Sequence, residues 1–123
     1  MPAKNRDLYG NASDVAPAVL LLPAADDYFV LKPKRSGFFF TTLDILLEYL
    51  RARTLILTGF TADDCVLFTA SGAYLRDFHL IVPDECVASI DPRHTRQALA
   101  DMHRVLKAEV VSSTTLSRSG QAA

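Results

Sequence analysis

Thr54-Leu55-Ile56-Leu57-Thr58-Gly59-Phe60-Thr61-Ala62-Asp63-Asp64-Cys65-Val66 is the stretch whose reading decides the fold. Residues 54–58 run without polar alternation and stop at a glycine. A strand that is apolar on both faces suits the interior of a parallel sheet with helices against both sides. The pattern then changes to helical, over about residues 63–77, with Val66, Ala70, Ala73 and Tyr74 on one face. Strand, turn and helix in immediate succession make one arm of a βαβ unit.

The flanking sequence repeats this alternation. Residues 28–32, Tyr-Phe-Val-Leu-Lys, form a short apolar run between Asp26-Asp27 and Pro33, which reads as a strand. Leu43, Leu46, Leu47 and Leu50 follow helical spacing, and Thr41 with Asp44 three residues on is a capping-box variant, so a helix is expected over about residues 42–52. Residues 79–83, His-Leu-Ile-Val-Pro, are the next strand. Asp91-Pro92 is an N-cap followed by proline at the first helical position, and Leu99, Met102, Val105 and Leu106 give that helix an apolar stripe. Residues 109–112 are a last short strand. Strands alternating with helices imply right-handed crossovers and a three-layer αβα fold around a parallel sheet. Residues 1–18 are polar and turn-rich and are expected to be an arm or loop. The domain is expected over residues 19–113, and the small polar tail from Ser113 onward is expected to fray, with residues 114–123 flexible.

Composition narrows the function classes. The chain has 123 residues, 50% hydrophobic and 22% charged, with a formal net charge of -1. That is the profile of one folded domain rather than a disordered one. Thirteen basic against fourteen acidic residues leave no electrostatic footprint for nucleic acid. No apolar run is long enough to span a bilayer, and the N-terminus lacks the apolar stretch of a signal peptide. The expected location is the cytoplasm, with no membrane partner. The two cysteines are then expected to be free thiols.

In parallel α/β sheets, ligands bind beyond the carboxyl ends of the strands. Four places qualify: residues 32–36, 59–65, 84–89 and the exit near Ser112. Among these, Cys65 lies in the first turn of the helix that follows residues 54–58. Backbone N–H groups and the positive helix end there favour a thiolate and can hold an oxyanion. From position alone, Cys65 reads equally well as a small buried hydrophobe. Lys32 by itself reads as a solvated lysine at a strand end. His79, His94 and His103 have no metal-ligand spacing and are expected at the surface or as caps. Phe38, Phe39 and Phe40 are expected in the core and a pocket wall.

Three segments resemble the isochorismatase-like cysteine hydrolases, a family that includes nicotinamidases and N-carbamoyl amide hydrolases. Residues 54–66 resemble the nucleophile segment. Asp27-Tyr-Phe-Val-Leu-Lys-Pro-Lys-Arg-Ser-Gly-Phe38 resembles the lysine segment. Val82-Pro-Asp-Glu-Cys-Val-Ala-Ser89 resembles the segment after the next strand. The match is collinear from about residue 8 to residue 112. The resemblance implies an isochorismatase-like, Rossmann-like fold with Cys65 as nucleophile and Lys32 as the lysine that supports it. It also implies a non-proline cis peptide at Phe60-Thr61, and an oxyanion hole made by the amides of Thr61 and Cys65. Cys86 matches a position with no catalytic role. The reaction implied is hydrolysis of an amide or related C–N bond of a small metabolite, through a thioester-type intermediate. No metal and no organic cofactor are implied, and family members are commonly homo-oligomers.

The sequence also departs from the family pattern. The general-base aspartate that ends the family's first strand has no match, and the chain is expected to begin after the family's first two strands. Asp63 and Asp84 lie at the correct edge of the sheet but are poor substitutes, because catalytic geometry is demanding. Asp64 places an anion beside the proposed thiolate, Ala62 stands where a hydroxyl residue is common, and Arg35 replaces a frequent aromatic. In the family's strand order, residues 28–32 and 54–58 are separated by the two absent strands. Residues 54–58 would then become an exposed edge, a template for association. The isolated chain is accordingly expected to aggregate, rearrange or pair with another chain. Two other function classes stay open: an inactive homologue acting as an oligomerisation or interaction partner, and a redox thiol protein using Cys65 without hydrolysis.

Overall fold

The computed structural model describes residues 20–116. The expected arm over residues 1–18, and the end of the expected tail, lie outside the described residues. Five strands are present among the described residues: β1 (Thr54–Ile56), β2 (Gly59–Phe60), β3 (His79–Pro83), β4 (Val87–Ala88) and β5 (Glu109–Val111). Three α-helices accompany them: α1 (Leu43–Tyr49), α2 (Leu67–Tyr74) and α3 (Pro92–Leu106). All strand pairs are parallel. The main sheet has the order β1-β3-β5, and β2 pairs with β4 in a second, two-stranded ladder. Right-handed crossovers from β1 to β3 to β5 put α2 and α3 on one face of the sheet, where they pack on each other.

The interior strand is β3. Four of its five residues are buried, with Leu80 and Val82 turned into the helical core. The stretch read as interior, residues 54–58, holds the edge instead. β1 has β3 on one side and no strand on the other among the described residues, and Ile56 is 49% exposed. Residues 28–32 do not form a strand. An apolar run becomes a strand only where a neighbour accepts and donates along its backbone, and none lies beside this one among the described residues. Tyr28, Phe29 and Leu31 are exposed. This outcome matches the edge expected from the family's strand order rather than the interior position read from hydropathy.

The helices follow the sequence with local corrections. At the start of α1 the Leu43 N–H donates to Thr41 Oγ1 at 3.2 Å. Asp44 does not close a capping box, because its carboxylate accepts from Arg76 Nε at 2.7 Å at the end of α2. The second helix opens as a π turn over Ala62–Val66, where the Val66 N–H reaches back to the Thr61 carbonyl at 3.2 Å. Val66, Ala70 and Ala73 are buried, whereas Tyr74 is exposed. Asp91 caps α3, accepting from the Arg93 N–H at 2.8 Å. The buried stripe of α3 is Ala98 and Met102, flanked by Leu99 and Leu106, while Val105 faces out.

Phe38 is buried in the core, and Phe39 and Phe40 are exposed. The Phe38 ring lies 6.3 Å from that of Phe78, and the Arg76 guanidinium sits 4.3 Å over its centroid. A Cβ on Gly72 would come within 2.9 Å of Phe38 Cδ2, so α2 needs glycine where this ring lands. Past β5 the chain does not fray at once, because Ser113–Thr115 form a 3-10 turn. Glu85 holds that turn, accepting from the Ser113 N–H at 2.6 Å and the Ser112 hydroxyl at 3.3 Å.

Two predictions rest on these contacts. Phe38→Ala is expected to destabilise the chain by about 3–5 kcal/mol, and Gly72→Val by about 1–3 kcal/mol through overpacking. Both are read by chemical denaturation. The second concerns acid. Hydrogen bonds from the Asp84 carboxyl, and then from Ser113, lower Glu85 from 4.5 to about 2. A lowered carboxylate stabilises the fold above its unfolded value, so this contribution is lost as pH falls from 4.5 toward 2. The same shared hydrogen bond raises Asp84, which works in the opposite sense and softens the loss. The stability of Glu85→Gln should therefore change less across that window than that of the parent, measured by denaturation at a series of pH values.

Candidate active site

The carboxyl edge of the sheet is where the strands separate. β1 follows β3 as far as Ile56, and the Leu57 N–H still donates to the Ile81 carbonyl at 2.9 Å. Then Gly59 turns with φ +118, a conformation that side-chain-bearing residues rarely adopt, and the chain rejoins Val87 and Ala88 as β2. The Phe60–Thr61 peptide is cis, at the position the resemblance implied. Thr61 accepts from the amides of Asp64 and Val66. The turn so formed carries Cys65, which is half-buried.

Lys32 comes to this turn from a distant part of the chain. Its Nζ lies 3.3 Å from Cys65 Sγ and donates to the Lys34 carbonyl at 3.3 Å. Lys32 is thus delivered by coil rather than by a strand, and the coil is pinned just beyond it. The Gly37 N–H donates to Thr69 Oγ1 on α2 at 2.9 Å, the Phe38 N–H donates to Ser36 Oγ at 3.0 Å, and the Phe38 ring enters the core. Lys32, Leu57, Thr58, Phe60, Cys65 and Thr69 line a cavity of about 140 Å³. Its exposed aromatic wall is Phe60, not one of the Phe38–Phe40 run. A larger groove of about 770 Å³ lies between α1 and the end of α2 and is lined by residues that precede β1 and β3. That is the amino end of the strands, away from Cys65.

The carboxylates at this edge have other partners. Asp63 accepts from the Ser89 hydroxyl at 2.7 Å, with His94 Nδ1 3.6 Å away, and the Ser89 bond is the main reason its carboxyl is held below the usual range. Asp84 is engaged with Glu85. Neither is hydrogen-bonded to Cys65. Cys86 sits half-buried at the end of the 3-10 turn Asp84–Cys86. His79 pairs with Glu109 at 2.7 Å, and His103 Nδ1 lies 3.0 Å from the Ala108 carbonyl beyond α3. Among the described residues no group of three or more potential ligands is arranged for a metal ion.

One pairing escaped the sequence reading. Arg35 Nη1 forms a salt bridge with Asp64 Oδ2, beside Cys65. Both residues stood out as departures from the family pattern. They are opposite charges in two segments that the resemblance brings to one edge, and that signal was available.

Residues 9–115 match the family model described as Isochorismatase domain. The chain is 41% identical over 92 residues to the uncharacterized isochorismatase family protein YaaI of Bacillus subtilis (strain 168), covering 75% of this chain and 51% of that protein. Among solved structures it is similar to the nicotinamidase of Staphylococcus aureus, with TM-score 0.67 and 33% identity over 83% of this chain and 65% of that one. It is likewise similar to the N-carbamoylsarcosine amidase of Thermoplasma acidophilum, with TM-score 0.67 and 38% identity over 74% and 51%. The chain spans about a third to a half of the length of the curated relatives it matches. A family model over most of the chain, a parallel α/β sheet shared with these structures and the collinear lysine and cysteine segments agree: this chain belongs to the isochorismatase family.

Proposed function

We propose that the chain is a cysteine hydrolase acting on an amide or related C–N bond of a small metabolite. The observation that carries this reading is the 3.3 Å approach of Lys32 Nζ to Cys65 Sγ across 33 positions of sequence. An ammonium at that distance offsets negative charge on the sulfur as it acts as nucleophile. Cys65 attacks the carbonyl carbon, a C–S bond forms, and the carbonyl electron pair moves onto oxygen. The amides of Thr61 and Cys65 hold that oxyanion. Its collapse breaks the C–N bond, the leaving nitrogen takes up from solvent the proton that the thiol gave to it, and water hydrolyses the thioester to release acid and free thiol. Lys32 holds positive charge beside the sulfur throughout. The similarity to a nicotinamidase and an N-carbamoylsarcosine amidase supports an uncharged amide or carbamoyl carbon as the point of attack.

A second reading is favoured by two observations. Asp63 is hydrogen-bonded to Ser89, no carboxylate among the described residues is hydrogen-bonded to Cys65, and the outer edge of β1 is open among the described residues. In this reading the chain is an inactive homologue whose edge strand pairs with another chain, as a homo-oligomer.

The readings are separated by turnover and by mass. Incubated with nicotinamide or N-carbamoylsarcosine, the hydrolase releases ammonia and passes through an acyl adduct on Cys65 visible by mass spectrometry. Cys65→Ala is expected to abolish both, and Cys86→Ala to retain both. Lys32→Ala is expected to slow turnover by about 10²-fold or more, and Lys34→Ala by much less. Hydrolysis retained in a folded Cys65→Ala chain removes the nucleophile assignment. For the second reading, sedimentation velocity at micromolar concentration is expected to show association without turnover, and a monodisperse, active monomer would exclude it.

A further inference from the structure

The coil segment that delivers Lys32 to Cys65 also delivers a second cation, to a different target. Three residues after Lys32, Arg35 binds Asp64, the residue immediately before the cysteine in the π turn. Only one oxygen of that carboxylate is satisfied. Asp64 Oδ1 is enclosed and has no hydrogen-bond partner, so the compensation of this anion rests on Arg35. An uncompensated carboxylate next to Cys65 would act on the site twice. It would repel negative charge on the sulfur, and it would compete with the sulfur for the Lys32 ammonium.

We propose that Arg35 is a positioning residue for Cys65: it holds and neutralises Asp64, so that the Lys32 ammonium remains directed at the sulfur. Arg35 does not line the cavity, and acts through Asp64. The guanidinium suits this task, being charged at every working pH and able to hold a carboxylate in a fixed geometry. In this chain an acid beside the nucleophile and a base in the lysine segment form a matched pair, and each is a liability without the other. The catalytic consequence rests on the hydrolase reading, but the charge relationship does not.

The test is a double-mutant cycle read by the rate of Cys65 alkylation with iodoacetamide at neutral pH, in the full chain carrying Cys86→Ala so that only Cys65 labels. Arg35→Ala is expected to slow labelling about tenfold. Asp64→Asn alone should label at least as fast as the parent. The double variant Arg35→Ala with Asp64→Asn should return to within about twofold of the parent, since the charge that Arg35 neutralises is gone. That recovery also reports a folded site. Arg35→Lys should label within about threefold of the parent, and Arg35→Gln as slowly as Arg35→Ala. A double variant as slow as Arg35→Ala overturns the proposal, as do equal rates for the Lys and Gln variants or a parent whose Cys65 does not label. Alkylation needs no substrate, so the two readings fail separately. The expected cycle in a chain with no amide turnover would remove the hydrolase reading and leave the role of Arg35 standing.

Discussion

The seat of Phe38 against Gly72 is the contact on which the site depends. Residues 28–32 have no strand partner among the described residues, so no ladder there fixes where Lys32 sits. The ring enters the core on a helix face that a Cβ would block, and the Gly37 amide is fastened to Thr69 on the same helix. The coil is thereby held to α2, the helix that continues directly from the turn carrying Cys65. Lysine and cysteine are positioned by one rigid element, approached from its two sides. An apolar contact and one hydrogen bond to a hydroxyl thus set the approach of Lys32 to Cys65.

The main sheet shows what hydropathy reads and what it does not. Leu55, Ile56 and Leu57 form an unbroken apolar run, the signature of a strand covered on both faces. That pattern records the environment for which a segment is suited, whereas the neighbours present decide the environment it has. β1 therefore carries an interior composition at an edge, with Ile56 half-exposed. The same reasoning accounts for residues 28–32. β3 has a strand on each side and is buried almost throughout, and there composition and placement agree.

Long periodic elements were legible because their signals are local. Asp91-Pro92 marks the start of α3 whatever the rest of the chain does, and β3 and β5 sit where their apolar runs predict. The short ladder of β2 and β4 was not legible. Two-residue strands have no periodicity, and their pairing depends on where Gly59 sends the chain. The π turn was hidden for a similar reason, since one extra residue in a helical turn leaves the apolar spacing nearly unchanged. At the site, Cys65 and Lys32 were named from the resemblance and lie together. The Arg35–Asp64 pair stood in the sequence as two separate departures, and only the adjacency of their segments, which the resemblance implied, could have joined them.

The two walls of the cavity differ in how they are held. Leu57 and Thr58 continue a strand hydrogen-bonded to β3, so displacing them means breaking into the main sheet. Lys32 belongs to an exposed coil tied by the partly exposed Arg35–Asp64 ion pair and, beyond it, by Gly37 and Phe38. Free energies of local opening track buried contacts and backbone bonds, so the lysine wall can detach at a cost far below that of global unfolding. Cys65 would stay in place when it does. Two environments would then be open to the sulfur within one folded chain, one beside an ammonium and one facing solvent. Amide exchange over residues 28–34 would report the balance between them, independently of the stability of the sheet.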